Sequence, residues 1–203
     1  MRGLLRLSAL AGILSPIILA MATAIVAAQR PDYSHITSAL SELGAVGRPY
    51  GTLMNLAGII PAGLLTVLSA PTIYDLFGRG GLSRAGEFVL MLAGLGFIAT
   101  AAFAWQGEPT DLTSVNNKLH LTFALSGFLC LALAPLLFGL HARTSGSWRY
   151  WFSLLAAALV FVFGFVLPRP PYLGLFQRGA LAAFFAWLVI MSAQAIWQDR
   201  RAN

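Results

Sequence analysis

The stretch Tyr33–Gly44 reads YSHITSALSELG. It gathers three serines, a threonine, a histidine, a tyrosine and a glutamate between long apolar runs. Polar side chains recur farther along at Asn55, Asn117, His120, Gln177 and Arg178. These types support three chemistries. In a hydrolase, Ser38 or Ser41 would be the nucleophile, His120 its base, and Asp111 or Glu42 the group that orients the base. No nucleophile-elbow glycine pattern surrounds either serine. In a binding or transport protein, Arg178 would fork onto the oxygens of a lipid phosphate or small anion. Ser38, Ser41, Asn55 and Gln177 would add neutral hydrogen bonds, and Glu42 would hold Arg178 while the site is empty. In a metal enzyme, His35, His120 and a carboxylate would share one ion. A three-histidine site is excluded, because His141 follows His120 by 21 residues on one apolar run, about 30 Å along a helix. Neither HxxxH nor HExxH spacing occurs. Cys130 is the only cysteine, so there is no thiolate cluster. We expect no metal and no cofactor.

The elements that carry these residues follow from composition. Only 10% of the 203 residues are charged, against about 25% in soluble domains. That deficit places the chain in a membrane. The net charge of +6 does not imply nucleic acid, because the basic residues stand in ones and twos at the ends of apolar runs. A spanning helix needs roughly 20 apolar residues. Six runs qualify: 7–28, 51–73, 88–105, 119–140, 151–167 and 173–197. Their even apolarity excludes barrel strands. The expected fold is all-α, a single six-helix transmembrane domain over residues 1–203. The first run is too long for a signal-peptide core of roughly 7–15 residues, so it is read as an uncleaved span. Pro16, Pro61 and Pro135 fall inside spans and should kink them. Gly58 with Ala62, and Gly94 with Gly96, offer small surfaces for helix packing.

With the N-terminus inside, the inner loops carry Arg2, Arg6, Arg79, Arg84, Arg143, Arg149, Arg200 and Arg201. The outer loops carry Arg30, Arg48, Lys118, Arg169 and Arg178. The bias puts both termini in the cytoplasm of a cell inner membrane. The YSHITSALSELG stretch then lies in the first outer loop. On a helical wheel Ile36, Ala39, Leu40 and Leu43 fall on one side, and His35, Thr37, Ser38, Ser41 and Glu42 on the other. With Ser34 as N-cap and Gly44 as stop, this predicts a short amphipathic helix at the membrane surface. Asn55 precedes Asp75 by 20 residues, and Arg178 precedes Gln198 by 20. At 1.5 Å per residue each interval covers about 30 Å, the hydrocarbon thickness. Asn55, His120 and Arg178 should therefore share one level with the surface helix and wall a polar pocket.

YSHITSALSELGAVGRPYG followed by NLAGIIPAGLL, the histidine that opens the fourth span, and GLFQRG at the sixth resemble a family of bacterial six-helix membrane proteins, domain of unknown function number 998. The likeness covers nearly the whole chain. It implies six spans and no agreed activity.

The reading is an integral membrane protein whose outer-leaflet pocket binds a lipid headgroup or small anionic molecule. The ligand-binding residues are His35, Ser38, Ser41, Glu42, Asn55, His120, Gln177 and Arg178. The alternatives are an intramembrane hydrolase on Ser41 or Ser38 with His120, and an accessory subunit without a ligand site. No ionisable group lies at mid-membrane in any span, where coupling ions usually bind, so proton-driven transport is not expected.

Overall fold

The computed structural model describes residues 3–106 and 112–202. Among them, six helices are long and apolar enough to cross a membrane. These are α1 (Gly3–Ala28), α2 (Gly51–Phe77), α3 (Gly81–Ala102), α4 (Val115–Ala142) and α5 (Trp148–Val166), followed by α6 (Leu173–Ala202). No strand occurs among the described residues. The protein is all-α.

Neighbours in sequence pack as neighbours in space, and α6 closes the ring against α1. α6 also reaches α2 and α4, which makes it the central post. Trp187, Phe184, Leu188 and Met191 of α6 are fully buried. The outward positions hold Leu4, Leu7, Leu14, Ile17, Leu64 and Leu68. Such a broad apolar exterior suits hydrocarbon and not water. Hydroxyls fasten the interior. Ser15 Oγ donates to Ala62 O at 2.8 Å and lies 2.9 Å from Thr66 Oγ1. Trp187 Nε1 donates to Ser153 Oγ at 2.9 Å. Small and hydroxylated residues of this kind let helix backbones approach closely.

Several boundaries differ from the expected runs. α3 begins seven residues early, because Glu87 pairs with Arg84 at 2.7 Å and the charge that seemed to end the span is neutralised within one turn. α3 also stops before Trp105, which lies in the following connection. α2 and α5 each contain a π-wound turn, at Met54–Ile59 and Val162–Val166. Ile60 N donates to Asn55 O, and Leu167 N donates to Val162 O at 2.9 Å. Each turn lies just ahead of a proline, Pro61 or Pro168. A proline ring crowds the carbonyl four residues back, and the chain relieves that by lengthening the preceding bonds to i−5.

Both chain ends meet at one end of the bundle, where Arg6 pairs with Asp199 at 2.6 Å. Arg149 Nη1 donates to Leu76 O, capping α2 at that same end. The opposite end carries the connection between α1 and α2, here called the loop end.

Candidate functional site

The predicted amphipathic helix over 34–44 does not form as one helix. Ser34 Oγ accepts from Ile36 N at 3.2 Å and Thr37 N at 3.4 Å, and Ser38 N donates to Ser34 O at 2.9 Å. That makes a single turn. Ala39 is then extended (φ −63°, ψ 149°), and a tight 3-10 helix runs Leu40–Gly44. The reason is competition for the backbone. Gln177 Oε1 accepts from Leu40 N at 2.6 Å, and Arg178 Nη1 donates to Ser38 O at 3.1 Å. Leu175 N donates to Ile36 O at 2.9 Å. Groups that a helix would satisfy internally are instead claimed by the first turns of α6. Ile36, assigned to the apolar side, is consequently exposed, while Leu40 and Leu43 are buried.

The GLFQRG stretch is thus a dock for the loop. A Cβ on Gly174 would lie 2.3 Å from Ser38 O, so only glycine admits the loop backbone there. Asn55 fastens the other end of the segment, its Nδ2 donating to Gly44 O at 2.8 Å. A Cβ on Gly44 would stand 2.1 Å from Asn55 Oδ1. Glu42 does not hold Arg178. Its Oε1 accepts from Ala39 N at 2.7 Å, capping the 3-10 helix. Arg178 is held instead by Ser38 O, by Gly174 O at 2.9 Å, and by the Tyr33 hydroxyl. Tyr33 is half-buried, and burial pushes its phenol up from the ordinary value, so it stays neutral and bridges Arg178 to Ala39 O. Beside it, Arg30 grips Asp32 with two bonds of 2.9 and 2.8 Å. The hydrogen bonds from Arg30 hold the Asp32 carboxyl down at about 2.

His120, in the second turn of α4, is almost fully buried. Its Nδ1 lies 3.1 Å from Thr100 O and 2.9 Å from Phe103 O. Two carbonyls can only accept, so Nδ1 carries the proton. The imidazole thereby caps the last turn of α3. Nε2 is left with its lone pair and no hydrogen-bond partner among the described residues. Asn117 pairs with Gln106 through Oδ1 and Nδ2, at 2.9 and 2.8 Å. That pairing holds the connection after α3 so that Trp105 meets the His120 ring edge-on, at 5.1 Å between centroids.

These contacts distribute the expected residues between two grooves. Ser41, Glu42, His120 and Gln177 line one groove of about 260 Å³. Its remaining wall is apolar, formed by α4 (Leu121, Ala124, Leu125, Phe128), the π-turn of α5 (Phe163, Gly164) and Pro168. Ser41, Ala124, Phe128 and Gln177 also border a smaller cavity of about 40 Å³ deeper among α2, α3, α4 and α6. His35 and Arg178 line a different groove of about 370 Å³, between α1 and α6. Ser38 and Asn55 line neither: Ser38 takes part through its own backbone N and O, and Asn55 holds Gly44 O. Asp111, the second orienter considered for a hydrolase, lies outside the described residues. His35 and His120 are in separate grooves, so the His35–His120 metal pair is not assembled. Sequence reasoning passed over Tyr33, Trp105, Phe163 and Gly164. The short fifth span followed by Pro168 was the available signal for the last two.

Six apolar antiparallel spans define a multi-pass helical membrane protein. The chain belongs to the DUF998 family of proteins of unknown function, whose profile matches residues 13–194. No curated protein and no solved structure matched the chain.

Proposed function

We propose that the protein binds a membrane amphiphile from within the bilayer, with its polar head at Ser41, Glu42, His120 and Gln177 and its chain along the α4–α5 groove. One observation carries this reading: four polar side chains from three separate segments meet at the head of a groove that is otherwise apolar. From His120 to Phe128 the wall descends eight residues, about 12 Å into the hydrocarbon. Small-molecule sites are built this way, mostly apolar with a few placed polar groups. The free groups favour a head that donates hydrogen bonds. His120 Nε2 and the second Glu42 oxygen accept, and the one full charge is negative. An ammonium or hydroxyl head fits; a phosphate fits poorly, because Arg178 faces the other groove.

The direct test is a lipid with a photoactivatable acyl chain, reconstituted with the full chain in nanodiscs. Diacylglycerol and long-chain amine versions should both crosslink peptides of α4 and α5. Ala124→Phe, which fills the groove, should lower that labelling about tenfold, equivalent to ~1.4 kcal/mol. Labelling spread evenly over all lipid-facing helices would defeat the reading.

The orientation is part of the same proposal. The excess of Lys and Arg at the termini end supports a reading with both termini in the cytoplasm of an inner membrane and the groove mouth in the outer leaflet. In a Cys130→Ala background, an impermeant maleimide applied to intact cells should label Val46→Cys and spare Arg79→Cys. Both positions are exposed. The reverse pattern would invert the assignment.

A further inference from the structure

We propose that the groove between α1 and α6 is a second, separate site for an anionic phospholipid, whose phosphate meets Arg178 and whose acyl chain lies between the two helices. It stands on different residues from the α4–α5 groove and does not depend on it. A guanidinium has five N–H donors. Arg178 gives two hydrogen bonds through Nη1 and one through Nη2, which leaves the Nε hydrogen and the second Nη2 hydrogen. Nε with Nη2 is the edge with which Arg30 takes both oxygens of Asp32. Phosphate oxygens are gripped in the same two-pronged way. Arg6, Arg30 and Arg84 each have a carboxylate partner. Among the described residues, Arg178 has none within 4 Å, so its charge is uncompensated at the head of an apolar groove.

The groove below it is shaped for a chain. Ala20, Ala24 and Ala182 keep it open, and Phe185 closes its lower part. Thr23 adds no polarity, because its hydroxyl turns back to Leu19 O at 2.7 Å. From Arg178 to Phe185 is seven residues, about 10 Å of descent. Leu40 and Leu181 border both this groove and the deeper cavity, and so separate the one from the other.

The test uses the full chain in nanodiscs carrying photoactivatable phosphatidylglycerol or phosphatidylcholine with identical acyl chains. The two lipids share the phosphate and differ in net charge. Phosphatidylglycerol should crosslink α1 and α6 peptides at least fivefold more than phosphatidylcholine, and added salt should narrow the difference. Ala20→Leu with Ala182→Leu fills the groove at two exposed positions and leaves the Arg178 hydrogen bonds in place. It should abolish the preference while α4–α5 labelling by diacylglycerol persists. Ala24→Leu alone serves if the double variant does not fold. Equal labelling by the two lipids, or labelling unchanged by groove filling, would overturn the proposal. Competition by millimolar inorganic phosphate would also overturn it, in favour of a free-anion site.

Discussion

Arg178→Ala should lower the stability of the loop end by about 3 kcal/mol, since each stranded acceptor costs roughly 1–3 kcal/mol and neighbouring losses are not additive. The side chain holds Ser38 O, Gly174 O and the Tyr33 hydroxyl at once. Its guanidinium carbon also lies 5.6 Å from the centre of the Tyr33 ring, within cation–π range. Removing it leaves the 33–39 segment tied to α6 only through the Leu175–Ile36 backbone bond, with the Gln177–Leu40 bond just beyond it. The measurement is thermal unfolding in detergent, together with proteolysis of the 33–50 connection. Arg178→Lys should recover less than half of the loss, because one ammonium cannot span three acceptors in a planar fork. An Arg178→Ala protein that melts like the parent would show that the loop is held by its buried leucines instead.

The second large effect is expected from Gly94→Val. A Cβ on Gly94 would stand 2.5 Å from Gly63 O, and one on Gly63 would stand 2.6 Å from Gly94 O. Here α2 and α3 touch backbone to backbone, and the obstacle is main chain, which cannot rotate aside. Overpacking in a close-packed interior usually costs about 1–3 kcal/mol, occasionally more. This site belongs at the upper end because two helices must separate along their length. Gly81→Val is the control, since nothing lies within 4 Å of a Cβ there. Unfolding in graded denaturing detergent should show a large loss for Gly94→Val and a small one for Gly81→Val. Equal losses would mean that helix propensity, and not the α2–α3 contact, sets the cost.

The six spans were legible because a run of about 20 apolar residues is a local property, tied to bilayer thickness and not to any partner. Their ends were less legible. Arg84 and Glu87 looked like the edge of the third span, yet they neutralise each other inside α3. The polar residues at the loop end were legible as a set, since a depth count needs only the helical rise. Which of them face one another was not legible in that way. Asn55, Gln177 and Arg178 are of types that suit ligand contacts, yet each is bonded to the backbone of the 38–44 segment.

The sequence by itself determined the all-α membrane class, the number of spans and the level at which the polar side chains gather, because hydrophobicity and helical rise act residue by residue. Only the tertiary structure decided that YSHITSALSELG is a turn and a 3-10 helix. Its amphipathic pattern favoured a continuous helix, but α6 supplies stronger partners for its backbone at Leu40 and Ser38. Only the tertiary structure paired Gly94 with Gly63, and Gly96 with Gly127. It also divided the polar set between two grooves. Those outcomes depend on which helices lie side by side, and that is fixed by packing between residues far apart in the chain.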